Sequence, residues 1–296
     1  MNIIQGASGQ VGSAVVANLV KKGEPVKGIV RNREKVEQLK KQGAEAAIAD
    51  VFDQQALTEA LKNGSTLFVI TPETGKGEDV IGDTKKSLTN IREAIKKSKV
   101  KKMVGLSSMG AQYDKGTGNL LMSYLLEHAF NGLAIEQSYI RPAYYYSNWL
   151  AYLPVVKESG TLPTFYPVDL SIPMISPMDV AKFASDIISN DDSGGKIYEV
   201  YGPASHTSAD VADAFSKALH RDVKAKQIPR HQWPSTLKKI GFSEDAIKNF
   251  IEMTDAVIAG SAHAENEGTI VLKGNTTLQQ YINNAVTNSL LIQKEQ

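Results

Sequence analysis

The chain has 296 residues, 42% hydrophobic and 22% charged, with 33 basic against 32 acidic side chains. That suits one large globular domain with or without a small partner, and it leaves no basic excess for nucleic acid or a membrane surface. It contains no cysteine, which excludes disulfides, zinc–thiolate sites and cysteine nucleophiles.

MNIIQGASGQVG at the start has no basic segment ahead of a long apolar one, and no run of about 18 apolar residues occurs. A cytoplasmic location with no membrane span is expected. Residues 2–5 read as a short buried strand. Val11, Val15 and Leu19 then recur on one helical face, closed by Gly23 after two lysines. Further strands are expected at 26–30, 46–49, 66–70, 103–106 and 134–140. Helices are expected between them: 34–42 ending at Gly43, a helix capped by Asp53 running to Lys62, a long one through Val80, Thr84, Leu88, Ile91 and Ile95, and one near 120–130. Lysines at 96, 97, 99, 101 and 102 read as a solvated turn away from any ligand crevice.

This alternation predicts an α/β fold, a doubly wound parallel Rossmann sheet covered on both faces. Prolines at 142, 154, 163, 167, 173, 177, 203, 229 and 234 break the second half into short pieces. The division expected is a dinucleotide-binding domain over 1–150, with 175–201 returning to it through a strand at 197–201. A smaller, irregular C-terminal lobe, mainly 151–296, would line the substrate pocket.

Gly6-Ala7-Ser8-Gly9-Gln10-Val11-Gly12 lies between a strand and a helix. Glycines at intervals of three permit a tight turn, close approach of a pyrophosphate and close helix–strand packing. The helix N-terminus beyond them offers free N–H groups to an anion. Gly6, Ser8, Gly9, Gln10, Val11 and Gly12 are therefore candidate cofactor contacts. An NAD site usually places Asp or Glu at the end of the second strand. Here that position is Arg31, with Arg33 and Lys35 nearby; a cation suits a 2′-phosphate and points to NADP(H). Topology adds Asp50, Val51 and Phe52 at the adenine edge, Ile70, Thr71 and Pro72 near the ribose and pyrophosphate, and Ser107 and Ser108 facing the nicotinamide. The histidines show no metal-ligand spacing, and no metal is expected.

GASGQVG, IVRN, ADVFD, ITP, GLSSMGAQ and IRPAYYYSNWL together resemble the NmrA-like family of atypical short-chain dehydrogenases/reductases over residues 1 to about 190, and more weakly through YGPASHTSADVADAFSKAL. The resemblance implies that Pro142, Ala143 and Tyr144 lie beside the nicotinamide, and that Asn148 matches an asparagine common just after them. The wider superfamily uses a Tyr-x-x-x-Lys pair as its acid. Tyr124 and His128 share a helix face and are candidates for a substituted pair, against packing and surface roles. The Glu127-to-Arg141 spacing sets a register in which the tyrosine falls on Asn119 and the lysine on Ser123, so the usual pair is absent. Tyr144 is a further candidate for a catalytic role. Tyr145, Asn148 and Trp149 are candidates for the substrate wall, with Tyr144 and Tyr146, against a role in packing the lobes.

The leading expectation is an NADPH-dependent oxidoreductase that passes hydride to a quinone-like or other electron-poor small molecule. The alternative is a non-catalytic NADP(H)-binding redox sensor acting through a protein partner. A homodimer stays open, as does a protein partner.

Overall fold

The computed structural model describes residues 1–71 and 75–294. β1 (Asn2–Gln5) is buried throughout and leads through the glycine turn into α1 (Gln10–Lys21), which buries Val15, Val16 and Leu19. β2 (Val26–Val30), α2 (Glu34–Lys41), β3 (Glu45–Ile48), α3 (Gln54–Ala60), β4 (Thr66–Ile70), α4 (Val80–Lys96) and β5 (Lys102–Leu106) continue the alternation. Asp53 and Asp79 cap α3 and α4 by accepting the N–H of Ala56 and Gly82, which stops each strand-to-helix turn at a defined residue. A 3-10 turn at Gly118–Leu120 runs into α5 (Leu121–His128), followed by β6 (Glu136–Pro142).

The second half supplies β7 (Tyr144–Tyr145), α6 (Leu153–Ser159), β8 (Thr161–Thr164), β9 (Ile172–Ile175), α7 (Pro177–Ser189), β10 (Ile197–Tyr201), β11 (Ser205–His206), α8 (Ser208–Leu219), β12 (Lys224–Gln227), α9 (Trp233–Lys239), α10 (Glu244–Ile258), β13 (Ile270–Lys273) and α11 (Leu278–Lys294).

Eight strands form the main sheet in the order β13-β10-β6-β5-β4-β1-β2-β3, and each adjacent pair runs parallel. One face is covered by α1 and α7, whose Val15, Val16 and Leu19 meet the cluster containing Val180, Ala181 and Ala184. The other is covered by α3, α4 and α5 through Leu57, Leu88, Ile91 and Leu126. Strand order reverses between β1 and β4, the switch point at which a doubly wound sheet opens a crevice beyond its carboxyl ends. A smaller layer holds a β11-β9-β7 sheet and a β12-β8 pair, with α8 and α11 packed around Trp149, Phe215 and Ile282. α9 and α10 gather round Trp233, Leu237 and Ile247.

Two features depart from the sequence reading. Lys102 does not belong to a solvated turn. It is 7% exposed, and its Nζ donates to the carbonyls of Ile187, Ile188 and Asn190 at 2.8, 3.2 and 2.6 Å. There it neutralises the carbonyl end of α7; burial pulls its pKa below the usual lysine value. The other is β13, an edge strand contributed by residues 270–273 that the sequence pattern does not announce. β6 also starts later than expected and runs on through Arg141 and Pro142, because β10 pairs with it along those residues.

Candidate functional site

A cleft of about 1100 Å³ opens at the carboxyl ends of β1, β4, β5 and β6 and extends under the C-terminal lobe. Gly6, Gly9, Gln10, Val11 and Gly12 line one end. Gly6 takes a left-handed φ of +66°, and its carbonyl accepts the Gly9 N–H at 2.9 Å. A Cβ at Gly12 would fall on that same carbonyl oxygen. No side chain caps α1, and its first turn carries no acidic residue. The unpaired N–H groups of that turn therefore face the cleft without a competing carboxylate, a cradle fitted to a dinucleotide pyrophosphate. Ser8 is exposed and outside the lining. Gln10 donates from Nε2 to the Tyr281 hydroxyl at 3.1 Å, so α11 braces the loop.

Arg31 is exposed at the end of β2 and makes no ion pair with any described residue. Asp50 accepts the Phe52 N–H at 2.9 Å and Asn90 donates to the Val51 carbonyl at 3.0 Å, which fixes the turn after β3. Phe52 is 44% exposed, with Lys86 Nζ 5.6 Å from its ring centre. These residues share the carboxyl edge but stand outside the lining of the cleft.

Ile70, Thr71, Ser107, Ser108, Pro142 and Tyr144 line the middle of the cleft, and Tyr145, Asn148 and Trp149 lie further in. Pro72 lies outside the described residues. The Ser107 hydroxyl donates to Glu127 at 2.6 Å. Glu127 receives Arg141 through Nε and Nη2 at 2.9 and 2.7 Å. Arg141 also reaches Glu265 at 2.6 Å and stands 3.8 Å from Glu199. Glu199 is fully buried and accepts the N–H groups of Glu265 and Asn266 and the hydroxyl of Thr269. Burial opposes the Arg141 charge, but the bonds from Glu127 and Glu265 outweigh it and hold its pKa above the usual value. The charges thus sit behind the cleft wall, and the proton of Ser107 is turned towards them.

The wall itself is aromatic. Tyr144 packs edge-on against Trp149 and Tyr166, with ring centres at 5.8 and 5.7 Å. Burial pushes its hydroxyl well above the usual tyrosine pKa, with Tyr166 and Asn148 bonded to it. Tyr145 and Tyr166 are shifted upward for the same reason, and Tyr152 is pushed up to about 12.

The structure does not bring Tyr124 and His128 to this cleft. Their rings stack on each other at 4.0 Å, and His128 Nδ1 lies 2.7 Å from the Tyr124 carbonyl oxygen. A spacing of four makes them neighbours on the helix, but on a face turned away from the cleft. Asn119 and Ser123, the positions the register assigned to tyrosine and lysine, do line it. The lobe adds residues that sequence reasoning did not single out: Tyr152, Phe165, Tyr166, Leu237, Phe242, Phe250 and Met253. They come from separate short elements, and no local spacing links them.

The model of the NmrA-like family matches residues 3–288. The chain is 26% identical over 247 residues to an NAD(P)H azoreductase of Xenophilus azovorans, covering 82% of each chain. It is 27% identical over 247 residues to quinone oxidoreductase 2 of Escherichia coli strain K12, covering 82% of this chain and 83% of that one. Among solved structures, an NADPH-dependent quinone oxidoreductase of Escherichia coli, complexed with NADPH, superposes with a TM-score of 0.81 at 24% identity, covering 96% of this chain and 99% of that one.

Proposed function

The chain belongs to the NmrA-like family, and from that premise we propose that it is an NADPH-dependent oxidoreductase that passes hydride to a quinone-like or other electron-poor small molecule. One observation carries the reading: a single cleft runs from an anion-binding glycine turn at the switch point to a wall of tyrosines. The quinone and azo reductase activities named for its relatives support the class.

The residues fit the dinucleotide. Gly6, Gly9, Gln10, Val11 and Gly12 would hold the pyrophosphate, with Ser8 at the turn's outer side. Ile70 and Thr71 would meet the ribose, and Asp50, Val51 and Phe52 the adenine edge. Arg31, exposed and in no ion pair among the described residues, would take the 2′-phosphate. Ser107, Ser108, Pro142 and Tyr144 would flank the nicotinamide. When bound, the reduced dinucleotide supplies a hydride.

The rest of the chemistry falls to the chain. Tyr145 and Asn148 would hold the acceptor flat, with Trp149, 1% exposed, packed behind Tyr144 in the lobe core, and the aromatic wall would exclude water from the transfer. No tyrosine in the chain is followed four residues later by lysine, and Ser107 points its proton at Glu127. A ketone would lack a proton donor for its developing alkoxide. A quinone needs none at that moment, because its reduced oxygen is a stabilised phenolate that water protonates.

Purified protein with NADPH and a panel of quinones tests the reading; NADPH oxidation above the uncatalysed rate is expected. Tight NADPH binding with no turnover across the panel would return the sensor reading. Arg31→Ala should lower the ratio of NADPH to NADH affinity by about 10- to 100-fold, the worth of a hydrogen bond to a charged group. An unchanged ratio would remove Arg31 from the assignment.

A further inference from the structure

We infer that this cleft selects an acceptor without anionic groups, a flat uncharged ring rather than a sulfonated or carboxylated one; this rests on the reductase reading above. None of the described residues that line the cleft is Lys, Arg, His, Asp or Glu. Arg141, next in sequence to the lining residue Pro142, is 3% exposed and paired with Glu127 and Glu265. The polar groups of the described lining are neutral hydroxyls, amides and the Trp149 indole, none of which carries a charge to balance an anion. Burial holds the wall tyrosines as neutral phenols.

An anion entering this space would lose its hydration and meet no cation in return, which is costly in a poorly polarisable site. It would also share the cleft with the phosphates of the nucleotide. An uncharged ring loses little on entry and gains contacts with the part-exposed rings of the lining, Tyr144, Tyr152 and Phe242. Among the described residues, the anion-binding element of the cleft is the first turn of α1, which the nucleotide would take.

The decisive pair is 1,4-naphthoquinone and its 2-sulfonate. The rings are the same size, and the sulfonate withdraws electrons, so intrinsic reactivity favours the charged compound. The expected result is a kcat/KM at least about 100-fold higher for the neutral quinone, against that reactivity order. Dissociation constants are measured alongside, by quenching of tryptophan fluorescence with NADP+ at saturation; Trp149 lies in the cleft lining. They should show the same order.

Equal kcat/KM values together with equal dissociation constants would overturn the inference. If neither compound is turned over, the reductase reading falls, while the ratio of dissociation constants still decides the selectivity. Ile240→Lys gives an independent arm. Ile240 lines the cleft and is 64% exposed, so a cation there is tolerated by the fold. It should narrow the neutral-to-sulfonate ratio about 10-fold. A ratio that stays put would show that charge in the lining does not set the preference.

Discussion

At Gly12 one added methyl group would occupy the place of the Gly6 carbonyl oxygen, so the turn and the first turn of α1 cannot both keep their positions. Gly12→Ala should weaken NADPH binding at least about 10-fold in a calorimetric titration, because a misplaced cradle loses several N–H contacts at once. Affinity within twofold of the parent would mean that the pyrophosphate lies elsewhere. This part of the site was legible residue by residue. Its glycines are close in sequence, their spacing has a steric reason, and a strand and a helix flank them. The same logic offers Tyr124 and His128 as a pair, against which the Glu127-to-Arg141 register already speaks. Spacing of four reports a shared helix face, but only packing decides which face meets the cleft; the 3-10 turn brings Asn119, and α5 brings Ser123, to the lining. The aromatic wall was half legible. Tyr144, Tyr145, Asn148 and Trp149 fall in one run of sequence, whereas Phe165, Phe242 and Phe250 are brought in by tertiary contacts that no local pattern encodes.

Among the elements, α7 shows how a basic residue can serve the fold rather than a ligand. Its last carbonyls are met by Lys102 from the start of β5. Lys102→Met keeps the aliphatic stem and removes the charged donor. It should lower the unfolding free energy by about 2 kcal/mol in urea titration, the scale of hydrogen bonds to a charged group. A change under about 0.5 kcal/mol would show that water replaces the ammonium. Lys96, Lys97, Lys99 and Lys101 are exposed as expected; Lys102 alone was misjudged, because composition cannot tell the last exposed lysine from the first residue of a buried strand. Most helices and strands were legible from periodicity. β13 was not: it is four residues long, three of them exposed, and an edge strand with so little burial leaves almost no hydrophobic signature.

The whole molecule places its charges and its cleft apart. Glu127, Arg141, Glu199 and Glu265 form one network behind the wall, and the lining described keeps only neutral groups. Burial disfavours the phenolate, so the wall tyrosines keep their protons far above neutrality; for Tyr152 the midpoint lies at about 12. Quinone reduction should therefore show no step in kcat/KM from about pH 6 to about pH 9 attributable to a wall residue. A profile that falls with an apparent pKa inside that range, and moves in Tyr144→Phe or Tyr152→Phe, would reveal an acid in the wall. The doubly wound sheet itself was legible from the alternation of strands and helices. The position of the cleft under the lobe was not, because it depends on how distant short elements close over the sheet.

The order of the strands also bears on how the chain is made. β10 ends at Tyr201, and its outer neighbour β13 spans residues 270–273. At about 5–20 residues per second, a nascent chain carries β10 with an open edge for about 4 to 14 s before β13 is synthesised. For most of that interval Glu199 lacks its donors from Glu265, Asn266 and Thr269. The growing sheet thus presents an unpaired edge beside a carboxylate whose one charged partner is Arg141 of β6, 3.8 Å away. That charge opposes pairing with other nascent chains, as inward charges do on edge strands, until the chain's own late strand arrives to cover it.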